Sequence, residues 1–187
     1  MAASEESMYN SWISGTPLAW AAVGGYEEVV KILLGRDDID PDKPNELGET
    51  PLHFAAGDGH EGVVKILLGR EDIDPDKPDH LRQTPLFWAA MCGHEEVVKL
   101  LLGRDDVNPH TSSLLGQTPL TVARGHYEGV VKLLLSRDGI DLDKPNELDQ
   151  APLHCAASEE HEGEMKILLG QDDIDPNRPD DNGQTPP

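Results

Sequence analysis

The chain is short of the residues that many functional classes require. Aromatic residues make up 4% of it and hydrophobic residues 37%, a lean supply for one large globular core. Basic residues number 15 against 36 acidic ones, a formal charge of −21. A surface so poor in cations repels phosphate backbones and anionic headgroups, so nucleic acid and membrane are not the expected partners. There are only two cysteines, Cys92 and Cys155. They form neither a disulfide framework nor a zinc-ligand spacing, which suits a reducing compartment. The expected location is therefore inside the cell, in the cytoplasm rather than the nucleus. No apolar run approaches the roughly 18 residues that a membrane helix needs. Met1 to Asn10 lacks the basic start and apolar stretch of a secretory signal.

What the chain has is a period. Thr16-Pro17-Leu18, Thr50-Pro51-Leu52, Thr84-Pro85-Leu86, Thr118-Pro119-Leu120 and Ala151-Pro152-Leu153 start successive copies at intervals of 34, 34, 34 and 33 residues. A further start stands at Thr185-Pro186. A fixed period of this size means a repeat array, in which each unit buries its apolar face against its neighbours. The units divide as 16–49, 50–83, 84–117, 118–150 and 151–170, with a terminal finger over 171–187 and an extension over 1–15.

Each unit reads alike. In the second, Thr50 is a helix N-cap and Pro51 suits the first helical position. Leu52, Phe54, Ala55 and Ala56 make a short first helix, which Gly59 ends. Glu61 opens a second helix, where an acid offsets the macrodipole. Val63-Val64-Lys65-Ile66-Leu67-Leu68 is apolar nearly all round, so it has to be covered on several sides. The stretch Arg70 to Pro78 then alternates acids with two prolines, the composition of an exposed hairpin finger rather than a central strand.

The run Thr50-Pro51-Leu52-His53, Ala55-Ala56, Gly59-His60, Val63-Val64 and Leu67-Leu68 resembles an ankyrin repeat, and Asp106-Val107-Asn108 resembles the segment that follows it in that family. The resemblance covers residues 16–187 in five tandem copies. It implies an all-α solenoid of stacked antiparallel helix pairs with projecting hairpin fingers. It also implies protein binding through the fingers and the first-helix face, with no catalytic residues and no cofactor.

The departures carry expectations of their own. One residue is missing between Ala123 and Tyr127, and Arg124-Gly125 stand there, so the first helix of unit four should be shortened or distorted. In unit five Glu164-Met165 replace Val-Val and Glu160 replaces a glycine, which reads as a more polar outer face capping the stack. Residues 171–187 have no helix pair behind them and should fray, or the array is part of a longer one. Trp12 and Ile13 stand where later units have Glu46-Leu47, as if closing unit one, and Met1 to Glu6 should be disordered.

Candidate chemistry fails on spacing. Asp38, Asp40, Asp42 and Glu49 fall in a calcium-loop register, but Lys43 occupies the position that needs glycine. His161-Glu162 lacks the second histidine of a zinc-protease helix. His154 and Cys155 are adjacent on a helix and point about 100° apart, so they form no dyad. His60, His94 and His161 share a slot with Tyr26 and Tyr127, which argues for packing with a polar tip. Lysines at 31, 65, 99, 132 and 166 and arginines at 36, 70, 104 and 137 form ladders near helix C-termini, where cations offset the dipole.

The expected function is a non-catalytic protein-binding scaffold, monomeric, with a basic partner. The alternatives are a repeat segment of a larger regulatory protein or an acidic competitor for a basic partner. Carried over position by position, the binding residues are Glu46, Leu47, Glu49 and Asp58; His80, Leu81, Gln83, Met91 and Cys92; Leu114, Leu115, Gln117 and Arg124; Glu147, Leu148, Gln150 and Glu159. The third finger has lost the acids and lysine of its sisters and gained Leu114, an apolar centre between charged flanks. Leu47, Leu81, Leu115 and Leu148 recur once per unit and are alternatively one repeated packing residue; that reading is taken for Leu115, and Leu114, which has no apolar counterpart in the other inner fingers, carries the binding expectation.

Overall fold

Proline at the first helical position gives up an N–H that has no partner there, and the chain uses this at every unit start. The computed structural model describes residues 15–123, 127–137, 139–158 and 161–186. In it Thr16, Thr50, Thr84 and Thr118 have extended backbone, and the prolines that follow begin helices. The elements are α1 Pro17–Val23, α2 Glu27–Leu34, α3 Pro51–Gly57, α4 Glu61–Leu68, α5 Pro85–Cys92, α6 Glu95–Leu102, α7 Pro119–Val122, α8 Glu128–Leu135, α9 Pro152–Ser158 and α10 Glu162–Leu169. No strand occurs among the described residues; the fingers are runs of turns.

The first helix of each unit packs on the first helix of the next, and the second on the second. Buried alanine pairs, Ala21-Ala22, Ala55-Ala56 and Ala89-Ala90, keep the first-helix row close. The second helices bury valines on both flanks, as Val63 and Val64 do. Each such side chain contributes about 1.5–3 kcal/mol. The result is an all-α repeat solenoid with one continuous, thin core.

Rings and glycines lock successive units. Gly25, Gly59 and Gly93 have left-handed backbone, with φ of 65°, 73° and 77°. A Cβ on them would lie 2.7, 2.5 and 2.2 Å from the rings of His60, His94 and Tyr127 in the following unit. The Nε2 atoms of His60 and His94 donate to the carbonyls of Val23 and Gly57, both at 2.8 Å. A flat ring is what the slot requires, which explains the exchange of histidine and tyrosine.

The cation ladders belong to the fold. Arg70 grips Asp72 with Nε and Nη2 at 2.7 Å and donates Nη1 to the Leu34 carbonyl at 3.1 Å. Arg104 repeats this on Asp106 and on the Leu68 carbonyl, the latter at 2.7 Å. Each arginine thus caps the end of the preceding unit's second helix. The lysines pair with glutamates one turn back, as Lys65 does with Glu61 at 3.5 Å.

Unit four departs from its sisters. α7 has 4 residues where the other first helices have 7 or 8, and Ala123 leaves the helix with ψ of 76°. Arg124 and Gly125 lie outside the described residues. A small cavity of about 10 Å³ remains between units four and five, lined in part by Leu120, Val131, Cys155 and Glu164. Glu164 corrects an expectation: it is buried, not part of a polar outer face. Its position is the third of the second helix, which is buried in units two to five, and its Oε2 lies 3.0 Å from His161 Nδ1. Glu160 lies outside the described residues, as do residues 1–14 with Trp12 and Ile13.

The terminal finger corrects another. Residues 171–186 are tied down because a finger bonds to the finger before it rather than to a helix pair behind it. Arg178 donates to the Asp143 carbonyl and approaches Asp149 at 3.7 Å. His154 Nε2 donates to the Gln184 carbonyl at 3.1 Å.

Candidate functional site

The finger tips are built by short polar side chains that bond their own backbone. Asn45 Oδ1 accepts from the N–H of Leu47 and of Glu49, each at 2.9 Å. Asp79 does the same for Leu81 and Gln83, and Asn146 for Leu148 and Gln150. Ser113 accepts from Leu115 alone, at 3.3 Å. This Asx-type closure needs a left-handed residue at the fourth position. Gly48 and Gly116 supply it with φ of 84° and 70°, but Arg82 and Asp149 adopt it without being glycine, at 60° and 53°.

That geometry turns the third tip residue outward. Leu47, Leu81, Leu114, Leu115 and Leu148 are between 44 and 64% exposed. The reading of Leu115 as a packing residue is therefore corrected. Backbone joins the tips instead: the carbonyls of Leu47, Leu81 and Leu115 accept from His80, Leu114 and Glu147 at 2.8, 2.8 and 3.1 Å. The bonds hold the leucines in one row across four units.

The other expected residues divide by role. Glu46, His80 and Glu147 are exposed beside the row, and Asp58 and Met91 are exposed at the ends of α3 and α5. Glu49, Gln83, Gln117 and Gln150 are half-buried and close the tips: Glu49 takes the Asn45 amide at 2.7 Å, and the Gln83 carbonyl accepts from Asp79 at 2.9 Å. Cys92 is half-buried, and burial, then nearby Asp58, pushes its thiol pKa up. Arg124 and Glu159 lie outside the described residues.

Three residues on the first-helix side escaped the sequence reading. Trp20, Phe54 and Trp88 hold one position in α1, α3 and α5. The Trp88 ring meets Phe54 edge-on at 6.1 Å and His53 at 5.7 Å, and its Nε1 donates to Asp79 Oδ2 at 3.3 Å. Trp20 is exposed. Their signal was the 34-residue spacing of scarce aromatics.

The electrostatics are those of crowded carboxylates. Burial raises the pKa of Asp58 and of Glu49, the latter further through Asp79. Deeper in the fingers, burial also raises Asp42 and Asp76, whose Oδ1 atoms are buried without a partner. Among the described residues no group of three or more His, Cys, Asp or Glu is placed to hold a metal ion, and no helix is long and apolar enough to cross a membrane.

A family model described as ankyrin repeats in three copies matches residues 4–79 and 71–146, and one described as a single ankyrin repeat matches residues 149–181. No curated protein matches the chain.

Proposed function

The chain belongs to the ankyrin-repeat family, whose repeats are generally protein–protein interaction modules, and from that premise we propose that it is a non-catalytic scaffold for a basic protein partner. The binding face is the row of tips together with the first-helix ends. The observation that carries this reading is the exposed leucine row, Leu47 to Leu148, set among Glu46, Asp58 and Glu147. An apolar strip with a charged rim is the composition of an interface core and its surround. The rim is acidic, and burial raises the pKa of Asp58 in it and of Glu49 at the first tip, so a cation brought by a partner lowers the cost of ionising these two. Trp20 adds an exposed aromatic face on the same side as Trp88, suited to a basic or apolar side chain.

Selection of random peptides on the wild-type chain tests the partner class. The reading expects enrichment of Lys or Arg together with a large apolar anchor. Enrichment of acidic peptides, or of peptides without an apolar anchor, contradicts it.

A further inference from the structure

The row of tips has a spacing, and the spacing bears on the shape of what it binds. Successive units stack at the distance of packed helices, about 8–10 Å. The tips keep that interval, because a bond of 2.8 to 3.1 Å joins the carbonyl of Leu47, of Leu81 and of Leu115 to the next tip. The exposed leucines therefore stand roughly 10 Å apart, over about 30 Å from Leu47 to Leu148. Their main chain is already occupied. The N–H groups of Leu47, Leu81, Leu115 and Leu148 donate to the side chains that close the tips. An added strand is held through main-chain groups on an open edge. A strand laid along these leucines would give up its bonds to water and gain few in return. What the row offers is side chains.

An α-helix satisfies its own main chain, and seven of its residues rise about 10.5 Å. One side chain in seven then falls on each tip, with a drift of only about 20° per repeat. The charges beside the leucines also change along the row. The first tip has Glu46 exposed and Glu49 half-buried, and the fourth has Glu147 exposed and Asp149 half-buried. The second tip instead exposes His80 and Arg82, and at the third Leu115 is followed by the uncharged Gly116 and Gln117.

Resting on the assignment of the tips as the binding face, we infer that the partner presents an amphipathic α-helix of about 22 residues that lies along the row. It carries one large apolar side chain in every seven residues, cations at both ends and an acid over Arg82. The apolar spacing supplies the fit, and the order of charges supplies the selection. A helix that is basic throughout sets a cation against Arg82, and one that is acidic at its ends meets Glu46 and Glu147; like charges in contact count against both. The net basic character expected of the partner thus resolves into two basic ends.

Titration of the full chain with a labelled synthetic peptide, read by fluorescence anisotropy, tests this. The peptide is built on alanine, with leucine at every seventh position, lysines beside the outer leucines and a glutamate beside an inner one. It is made in two versions, glutamate at the second or at the third leucine, one for each direction of the helix. One version should bind, and its far-ultraviolet helical signal should rise in the complex. A control of the same composition with leucine at every fifth position, which spreads the leucines around the helix, should bind about tenfold or more weaker. So should a control with the lysines central and the glutamate at one end. Leu81→Asp and Leu148→Asp, both at exposed tips, should each weaken the matched peptide about tenfold or more, with the chain's own helical signal unchanged. Equal binding of the respaced control overturns the inference and leaves the basic-partner reading standing. A matched peptide that does not bind at millimolar concentration, or that binds both variants as it binds wild type, also overturns it. Equal binding of a version with glutamate for every lysine overturns the basic-partner reading and the inference with it.

Discussion

The backbone N–H of Thr50 donates to Nδ1 of His53 at 3.0 Å, so the ring carries its proton on Nε2 and donates a hydrogen bond from there to the Gln83 carbonyl at 3.1 Å. Burial holds the pKa of this ring down to about 4, against an ordinary value of 6.5, while the Gln83 bond pulls weakly the other way. The unfolded chain takes up the proton first. The ring's contribution to stability is therefore complete above pH 6.5 and is lost as pH falls from there to about 4. The loss is on the order of 3 kcal/mol. Urea midpoints of wild type minus those of His53→Gln should slope across that window; parallel curves contradict the assignment. Backbone strain gives a second residue-scale test. Arg82 sits at φ 60° and Asp149 at 53°. Replacing each by glycine should stabilise the chain by roughly 0.5–1 kcal/mol, more at Arg82, because aspartate tolerates the left-handed region better. Thermal melting checks this; a lowered melting temperature for Arg82→Gly counts against strain at the tip.

At the scale of the element, each first helix depends on its cap. The Thr16, Thr84 and Thr118 hydroxyls accept from the third helical N–H at 3.2 to 3.3 Å. Thr50 Oγ1 instead lies 2.9 Å from His53 Nδ1. Unit five has Ala151 in that place, and Nδ1 of His154 is left buried without a partner. Ala151→Thr should give that nitrogen a hydroxyl partner, as Thr50 does for His53, and add about 0.5–2 kcal/mol. An unchanged denaturant midpoint contradicts that. α7 is the shortest helix among the described residues, a single turn beside a cavity. Amide exchange should accordingly open residues 119–123 and 127–137 before 51–68 and 85–102; uniform protection contradicts it. Helix starts were legible beforehand because the first-position proline and the acid at Glu61 act locally. The outward aim of Leu115 was not. A loop has no hydrophobic period, and its direction comes from the Ser113 closure and the left-handed Gly116 after it. The burial of Glu164 was also hidden, since the side of a helix that faces the preceding unit emerges only on stacking.

Across the whole molecule, 36 acidic residues against 15 basic ones set how partners approach. A basic partner should associate about tenfold or more faster at low than at physiological salt, because the field steers encounter. Stopped-flow association rates check this, and a salt-independent rate leaves the acids as solubility features. The repeat period foretold the stack itself, since every copy buries the same face. The face that meets a partner depends on which side chains the stack leaves outside, and the central leucines of finger three are the clearest of these. The affinity of a peptide selected on wild type, remeasured on the Leu114→Asp, Met91→Asp double variant, tests the binding-face assignment most directly. The expected result is a loss of roughly 1–3 kcal/mol with an unchanged far-ultraviolet helical signal. Equal affinity for both chains would place the binding face elsewhere and contradict the account.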